Sequence, residues 1–269
     1  MALADDERRR TAFGTVVDAD RYDDLRPGYP PEAVSWLVGA PDRPLRVLDL
    51  AAGTGKLTRV LRALGHEVVA VDPSEQMLDA LRRSTGEDAG VTALVGTAEE
   101  VPLPDASVDA VTVGQAWHWL RPAAAVAELS RVLRPGGVLG LAWNARDLSV
   151  PWAHTFEELV EGTGFGERAA GEDEEGGHGP VDDGPADEGW WPRVPAPMTA
   201  RERTGFPAAQ RLPSPDAVAA LASTYSGIAV REDADAVLDQ IRALAAAAAE
   251  PDGSVLMPLV CHCYRYLRP

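Results

Sequence analysis

Two carboxylates flank a glycine-rich turn in the first third of the chain, in an arrangement suited to a nucleoside. Asp49 lies near the end of a short apolar run, the turn AAGTG occupies residues 51–55, and Asp72 closes a second apolar run. Because Gly53 and Gly55 lack Cβ atoms, a ligand could lie against the backbone amides of the turn. An acid at the end of the second strand can accept both hydroxyls of a ribose. A nucleoside-bearing cofactor is therefore the first hypothesis, and a tight turn with an incidental Asp72 is the alternative.

The apolar pattern around these residues predicts a strand, a helix and a second strand. Residues 47–50 and 68–71 are the apolar runs, and between them leucine and valine recur at helical spacing from Lys56 until Gly65. Two parallel strands require such a crossover helix, and ligands of these sheets bind beyond the carboxyl ends of the strands. The turn and its two acids are therefore expected at one edge of a parallel sheet.

Two details of the turn indicate which nucleoside would bind. Thr58 stands where the dinucleotide fingerprint G-x-G-x-x-G has its third glycine, and Asp49 lies four residues before Gly53. This D-x-x-x-G-x-G pattern resembles the motif of the class I, seven-stranded S-adenosylmethionine-dependent methyltransferases. The resemblance implies that Asp49 helps to hold the cationic methionine end of S-adenosylmethionine and that Asp72 binds its ribose.

Further cofactor contacts are implied by the same resemblance. Ser74 is the predicted N-cap of a helix, and residues 96–102 (GTAEEVP) resemble the family's G-D-A-E-x-L-P turn after the third strand. Thr97 replaces the aspartate that usually binds the adenine amino group there, whereas a contact by the Ala98 amide survives the change. The residues that the resemblance assigns to cofactor binding are Asp49, Ala51, Gly53, Thr54, Gly55, Asp72, Pro73, Met77, Thr97, Ala98, Glu99 and Gln115.

Residues 114–120 (GQAWHWL) carry the candidate catalytic group. They follow a fourth predicted strand, and their A-x-H-W string resembles one found in a subgroup that includes trans-aconitate methyltransferase-like, or type 11, methyltransferases. His118 is the candidate general base, since its unperturbed pKa is about 6.5. The alternative is a packing role between Trp117 and Trp119. These two tryptophans are candidates for the wall of an acceptor pocket, although core packing is the commoner use of tryptophan.

The N-terminal part of the chain carries the other candidate acceptor contacts. Tyr22 and the string RPGYP at 26–30 resemble the Y-x-x-x-R-P-x-Y-P segment of that subgroup. The resemblance implies that Tyr22, Arg26 and Tyr29 cover the cofactor and contribute to the acceptor pocket. A structural strap is the alternative.

The charge of the chain restricts its partners. A formal net charge of −17 argues against a sequence-independent nucleic-acid binder, which needs a basic face. Residues 166–190 contain nine acids, one base and a single large aliphatic residue, Val181. Such a segment cannot bury enough apolar surface to offset its ordering entropy, so a disordered loop is predicted.

Other features indicate where the protein resides and what it lacks. Cys261 and Cys263 occupy alternate positions of a predicted strand, so they are expected to share one face of it. The sequence has no second pair of metal ligands to accompany them, so no metal site is expected. No apolar run has the length of a membrane span, and the charged N-terminus lacks an export signal. The sequence therefore predicts a cytoplasmic monomer or homodimer with a small-molecule acceptor and without nucleic-acid or membrane partners.

The pattern of strands and helices predicts an α/β fold. The resemblance implies a Rossmann-like, doubly wound sheet of seven mostly parallel strands with an antiparallel last strand and helices on both faces. A helix end and turn are predicted at Arg134–Gly137, and the later strands at Val138–Trp143, Thr199–Phe206 and Val255–Leu267. The expected regions are a lid at 1–40, a cofactor-binding core at 41–165, the acidic loop at 166–190, and a part at 191–269 that completes the sheet and the acceptor pocket.

The leading hypothesis is a small-molecule methyltransferase that acts on the oxygen of a carboxylate or hydroxyl group. A nicotinamide-dependent oxidoreductase is the alternative enzyme, and Thr58 and Asp49 weigh against it. A non-catalytic, cofactor-binding interaction protein is the alternative from another class, and Thr97 in the adenine turn is the residue that favours it.

Overall fold

The computed structural model describes residues 23, 25–40, 42–161, 192–225, 228 and 231–269. The predicted loop 166–190 and Tyr22 lie outside the described residues, so both remain predictions. The longer helices are α1 (Pro31–Leu37), α2 (Lys56–Ala63), α3 (Glu75–Thr85), α4 (Pro122–Val132), α5 (Pro151–Glu161), α6 (Pro215–Ala222) and α7 (Ala234–Ala247). The strands are β1 (Arg46–Leu50), β2 (Glu67–Asp72), β3 (Val91–Val95), β4 (Val108–Gly114), β5 (Leu133–Arg146), β6 (Thr199–Leu212) and β7 (Val255–Leu267).

The seven strands form one sheet in the order β3-β2-β1-β4-β5-β7-β6. The strands β1 to β5 pair in parallel, and β7 runs antiparallel between β5 and β6. The predicted fold, a mostly parallel seven-stranded sheet with an antiparallel last strand, is therefore confirmed.

Helices cover both faces of the sheet, because successive residues of its central strands pack into different clusters. Val47 and Val68 pack with α1 and α2, whereas the next residues, Leu48 and Val69, pack with α4. Side chains alternate between the two faces of a strand, so both faces are buried, as is usual for parallel sheets.

The strand register brings the candidate functional residues to one edge. Leu50 of β1 pairs with Val71 of β2 and with Val113 of β4. Asp72 pairs with Val95, so β3 ends beside the same edge. The glycine turn, Asp72 and the residues after β4 therefore begin side by side at the carboxyl edge, where α/β sheets bind ligands.

The strand β5 differs from its prediction because it begins at Leu133 rather than at Val138. The helix end and turn predicted at Arg134–Gly137 is an irregularity within this strand, since β4 advances by only two residues over the same stretch. Two backbone hydrogen bonds with Arg268, of 3.0 and 2.9 Å, hold the segment against the end of the chain. Tertiary pairing therefore overrides the turn composition of the RPGG string.

The strand β6 continues to Leu212, beyond its predicted end at Phe206. Pro207 follows that residue and has no backbone N–H for a sheet ladder. Because β6 lies at the edge of the sheet, the missing donor is tolerated there.

Among the described residues, no helix is long and apolar enough to cross a membrane. The same part of the chain contains no group of three or more His, Cys, Asp or Glu residues placed to hold a metal ion. Cys261 and Cys263 are buried in β7 with their Sγ atoms 3.8 Å apart, which agrees with the prediction that they share one face.

Helix α1 packs against β5 at Gly140, which yields a test of the packing. A Cβ added at Gly140 would lie 2.7 Å from the carbonyl oxygen of Leu37, at the end of α1. We expect Gly140→Ala to lower the free energy of unfolding by about 1–3 kcal/mol in urea denaturation, since backbone atoms cannot move away easily. Gly28→Ala, where a Cβ meets nothing within 4 Å, is the control; an equal loss in both variants would contradict the packing account.

Candidate functional site

The carboxylate of Asp72 organises the turn that follows β1. Its Oδ2 accepts a hydrogen bond from the Gly53 backbone N–H at 2.8 Å, and its Oδ1 accepts one from the Ser74 backbone N–H at 2.9 Å. The Asp72 carbonyl accepts a hydrogen bond from the Gly96 N–H at 3.2 Å, which ties the turn after β3 to the same residue. Burial raises the pKa of Asp72, although the two backbone donors oppose that rise. Each carboxylate oxygen has further lone-pair capacity for a ribose hydroxyl.

Backbone amides of the glycine turn are used within the protein. Ala52 donates to the Val71 carbonyl at 3.2 Å, and Gly55 donates to the Ala52 carbonyl at 2.9 Å. The third amide, that of Gly53, is the one bonded to Asp72. These three amides already have acceptors within the protein and are not free to donate to a ligand. They therefore do not form the cluster of free N–H groups that a phosphate prefers.

The two glycines of the turn are required for different physical reasons. At Gly53, whose φ is +55°, an added Cβ would meet nothing within 4 Å, so the surface beside it is open to a ligand. At Gly55, whose φ is +84°, an added Cβ would lie 2.7 Å from the Cγ of Leu81 in α3. Gly55 therefore permits close packing, and Gly53 is the glycine that leaves room for a ligand.

Asp49 is 1% exposed and faces two threonines. The Thr58 hydroxyl donates to Oδ2 at 2.5 Å, and the Thr112 hydroxyl lies 3.5 Å from Oδ1. Burial raises the pKa of Asp49 to about 7 against these hydrogen bonds, and the charge of Asp72 adds to the rise. A cationic group beside Asp49 would lower that pKa again, because an opposite charge favours the ionised carboxylate.

The N-terminal part of the chain reaches the glycine turn through Asp23. The Thr54 hydroxyl donates to Asp23 at 2.5 Å, Arg59 donates to both carboxylate oxygens at 3.0 and 3.1 Å, and the Lys56 Nζ lies 3.5 Å away. Burial alone would raise the pKa of Asp23, but these partners lower it. The predicted cofactor residue Thr54 is therefore fastened to the N-terminal part of the chain.

Residues 25–30, called the strap from here on, contact the carboxyl ends of β4 and β5. Gln210 Nε2 donates to the Leu25 carbonyl at 2.7 Å, and Asn144 Nδ2 donates to the Gly28 carbonyl at 3.0 Å. A Cβ added at Gly114 would collide with the hydroxyl of Tyr29. The strap thus covers the edge at which the sheet is expected to bind ligands, and Tyr29 lies at the end of β4.

The strap also places Arg26 against the C-terminal part of the chain. Its Cζ lies 4.8 Å from the centroid of the Tyr225 ring, and the Cζ of Arg146 lies 5.2 Å from the same centroid. These are cation–π distances. A contact between Arg26 and a substrate remains a prediction.

The turn after β3 uses its polar side chains locally. Thr97 is exposed, and its Oγ1 accepts a hydrogen bond from the Glu100 N–H at 3.2 Å. Glu99 Oε1 accepts hydrogen bonds from the Arg121 N–H and Nε at 3.1 and 3.3 Å, at the start of α4. The Glu99 carboxylate therefore links this turn to α4, which does not support its predicted contact with the cofactor. Ala98 is buried, so its backbone is the part that could meet an adenine.

Three other predicted cofactor residues surround the turn and Asp72. Ala51 has a φ of +55°, an uncommon conformation for a residue with a side chain, directly after β1. Pro73 is exposed beside Asp72 and is accessible to a ligand. Met77 is 5% exposed, and its N–H donates to the Ser74 hydroxyl at 3.3 Å, so Ser74 is the N-cap that was predicted.

Gln115 adopts a φ of +56° directly after β4. Its backbone N–H donates to the Ala142 carbonyl at 2.9 Å, and its Nε2 donates to the Asn144 carbonyl at 3.0 Å. The uncommon backbone conformations of Ala51 and Gln115 thus fall at the ends of adjacent strands. Strained residues cluster at functional sites, so this coincidence supports a ligand site at the carboxyl edge.

The side chains of the short 3₁₀ turn Trp117–Trp119 have different surroundings. Trp117 is 4% exposed and packs in the core, and its Nε1 donates to the Arg193 carbonyl at 3.1 Å. Its contact with an acceptor stays a prediction. Trp119 is partly exposed, with its ring centroid 5.0 Å from that of His118.

Burial lowers the pKa of His118 to about 4, which keeps its imidazole neutral at pH 7.

Four residues of the site were not assigned by the sequence analysis: Asp23, Thr58, Thr112 and Asn144. Thr58 served only as evidence against a dinucleotide fingerprint, whereas its hydroxyl is a partner of Asp49. Asn144 directly follows the predicted strand Val138–Trp143, and a polar residue at a carboxyl strand end is a signal that could have identified it.

The comparisons with known proteins agree with this geometry. Residues 48–141 match a family model described as a methyltransferase domain. An uncharacterized methyltransferase of Mycobacterium tuberculosis is 55% identical over 149 residues, which cover 55% of this chain and 58% of that protein. An uncharacterized methyltransferase of Schizosaccharomyces pombe is 41% identical over 147 residues, which cover 54% of this chain and 57% of that protein. The matches thus span little more than half the length of these curated relatives.

One solved structure is similar over most of the chain. The structure of a putative type II methyltransferase from Anaeromyxobacter dehalogenans is 27% identical, with a TM-score of 0.66. The similarity covers 89% of this chain and 97% of that one.

The raised pKa of Asp49 predicts how the free energy of unfolding depends on pH. The pKa of Asp49 is about 7 in the folded protein against an ordinary value of 3.8 for an aspartate, so the folded state binds more protons than the unfolded state between these two pH values. This contribution to stability is full below about pH 4 and is lost as the pH rises through about 7. We expect Asp49→Asn to be more stable than the wild type at pH 8, by at most about 4 kcal/mol, and to lose that advantage near pH 4. Urea denaturation at pH 4.5, 6 and 8 measures the difference, and a difference that does not vary with pH would contradict the buried, proton-binding Asp49.

Proposed function

We propose that this chain, whose residues 48–141 form a methyltransferase domain of the class I fold, transfers a methyl group from S-adenosylmethionine to an oxygen of a small molecule. The observation that carries the proposal is the pair of buried acids, Asp49 and Asp72, on either side of a turn with open space at Gly53. The resemblance to class I methyltransferases is confirmed by the comparisons, whereas the trans-aconitate methyltransferase-like subgroup stays a prediction.

The chemistry of the site favours a cationic nucleoside over a dinucleotide. A pyrophosphate binds to free N–H groups at a helix N-terminus, but the amides of Ala52, Gly53 and Gly55 are bonded within the protein. Asp49, with its raised pKa, would also repel a phosphate once ionised and would be stabilised by a cation. These features support S-adenosylmethionine, with an ammonium and a sulfonium, and disfavour a nicotinamide dinucleotide.

The residues present fit such a cofactor with separate roles. Asp72 would accept the ribose hydroxyls with the lone pairs that Gly53 and Ser74 leave available. Asp49 would face the methionine end, held in place by Thr58. We propose that the cofactor also contacts Ala51, Pro73, Met77 and the backbone of Thr97 and Ala98. Gln115 is proposed to lie towards the methyl acceptor.

The bound cofactor supplies a methyl group on a positively charged sulfur, which is a good leaving group. A hydroxyl acceptor would have to release its proton when it is methylated, and a group of this chain or water would accept that proton. The chain would align the acceptor oxygen and exclude water, an effect that reaches roughly 7–11 kcal/mol in well-oriented reactions. The strap, with Arg26 and Tyr29, is proposed to cover the site for that purpose.

His118 is the proposed proton acceptor when the methyl acceptor is a hydroxyl group. Its lowered pKa keeps the imidazole neutral and therefore able to accept a proton at pH 7. A base with a pKa of about 4 has little driving force for the transfer, so a hydrogen-bonding role that orients the hydroxyl suits it equally. An acceptor carboxylate would need no base at all.

The setting of the reaction is also a proposal. We place the protein in the cytoplasm as a monomer or homodimer, with a small-molecule acceptor and no nucleic-acid or membrane partner. The predicted division into a lid, a cofactor-binding core and a C-terminal part that completes the sheet and the acceptor pocket stays a proposal, and the predicted loop at 166–190 lies outside the described residues.

Cofactor binding is tested by calorimetry with S-adenosylmethionine, S-adenosylhomocysteine and NAD. We expect the first two to bind and NAD not to bind. Gly53→Ala should weaken S-adenosylhomocysteine binding at least tenfold, because the added Cβ occupies ligand space. Gly65→Ala is the matched control, since Gly65 also has a positive φ, +88°, with open space around it. Binding of NAD alone, or equal losses in both variants, would remove the cofactor assignment.

The role of His118 is tested by separating turnover from binding. If it is the base, His118→Ala should lower kcat by a factor on the order of 10²–10⁴, with S-adenosylhomocysteine affinity within twofold of the wild type. Because its pKa is lowered to about 4, the wild-type rate should show no His118-dependent step between pH 6 and 9. Equal losses in turnover and affinity would indicate a structural histidine instead.

A further inference from the structure

Asn144, near the carboxyl end of β5, has a buried oxygen with no hydrogen-bond donor. Its Nδ2 donates to the Gly28 carbonyl of the strap at 3.0 Å, whereas its Oδ1 is buried and has no hydrogen-bond partner within the part of the chain that the structure describes. Buried acceptors without a donor are rare in folded proteins, and each one calls for an explanation. A ligand that brings the missing donor is such an explanation.

The orientation of this amide is determined by its surroundings. With Nδ2 donating to the Gly28 carbonyl, the oxygen is the atom left without a partner. The reverse orientation would place the amide oxygen against the Gly28 carbonyl oxygen. Oδ1 is therefore the atom that requires a donor.

The position of Asn144 is that of a substrate contact. The β4–β5 pairing sets Gly114 beside Ala142, so Gln115 and Asn144 follow at the ends of adjacent strands. The Gln115 side chain donates to the Asn144 carbonyl at 3.0 Å, and Tyr29 of the strap lies against Gly114. Asn144 thus joins the strap to the strand end that carries the proposed acceptor residues.

We propose that Asn144 Oδ1 is a specificity-determining group that accepts a hydrogen bond from a hydroxyl group of the methyl acceptor. The inference rests on the proposed function and deepens it, because it selects a hydroxyl-bearing acceptor over a carboxylate. An ionised carboxylate only accepts hydrogen bonds, so it would face the Asn144 oxygen without a donor and be repelled. A site built to bond one polar group rejects analogues that lack the matching group.

A second amide of the chain separates this role from a purely structural one. Gln210 Nε2 donates to the Leu25 carbonyl of the same strap at 2.7 Å. Its oxygen is not among the buried acceptors that lack a partner. Gln210→Leu therefore removes a similar strap contact without removing an unpartnered buried oxygen, and it is the matched control for Asn144→Leu.

The experiment uses the full chain loaded with S-adenosylhomocysteine and two sets of probes. One set contains phenols and small alcohols such as 4-methylphenol, and the other contains their carboxylate counterparts such as 4-methylbenzoate. Dissociation constants from NMR titration give a discrimination ratio for the wild type, Asn144→Leu and Gln210→Leu. Asn144→Gln is the conservative variant, since it keeps both an amide donor for the Gly28 carbonyl and an acceptor oxygen. Asn144→Ala replaces Asn144→Leu if that variant does not fold.

We expect the wild type to bind the hydroxyl probes at least tenfold more tightly than the carboxylates. Asn144→Leu should bring that ratio close to one while its unfolding temperature falls no further than that of Gln210→Leu, since each variant removes one hydrogen bond to the strap. Gln210→Leu and Asn144→Gln should keep a preference for the hydroxyl probes. A preference for carboxylates, binding of neither set, or equal ratios in wild type and Asn144→Leu would overturn the inference. Absence of S-adenosylhomocysteine binding in the preceding calorimetry would instead overturn the proposed function.

Discussion

The burial of two carboxylates at the carboxyl edge of the sheet is the constraint on which the site depends. Asp49 is 1% and Asp72 7% exposed, and burial raises the pKa of both. Removing charge from water is costly unless an opposite charge or hydrogen bonds compensate for it. Asp72 is compensated by backbone donors, whereas Asp49 has chiefly the hydroxyl of Thr58. The fold thus holds a buried acid that a cation would stabilise.

The remaining contacts of the site extend from these acids to the acceptor side. Asp72 binds the turn after β1, the start of α3 and the turn after β3, so one residue aligns three connections. Asp23 fastens the N-terminal part of the chain to the same glycine turn, and Asn144 and Gln210 fasten the strap to β5 and β6. The glycine turn and the carboxyl ends of β5 and β6 are therefore joined to the N-terminal part of the chain by hydrogen bonds as well as by packing. This arrangement explains why polar residues with no place in a sequence motif lie at the centre of the site.

The sequence predicted the helices and strands well wherever the periodicity of apolar residues matches the pairing of strands in the sheet. The bounds of β7 were predicted to the residue, and the Ser74 cap was correct. The RPGG string was misjudged as a turn because its irregularity is stabilised by a distant partner, Arg268. Trp117 and Glu99 also bond within the protein, to the Arg193 carbonyl and the Arg121 N–H, which the sequence did not predict, and their ligand contacts stay predictions. The type of a residue and its position in a loop do not show which group, distant in the sequence, will form a hydrogen bond with its side chain.

The amino-acid sequence by itself determined the strand-turn-helix-strand unit, the acids at its ends and the class of fold. These features depend on local spacing, on the absence of a side chain at Gly53 and on the alternation of apolar residues, all of which can be read along the chain. Only the tertiary structure decided that the turn amides are already bonded, that Asp49 binds a proton near neutral pH and that Asn144 keeps an unpaired oxygen. Burial and hydrogen-bond competition depend on residues far apart in sequence, so no local pattern contains them.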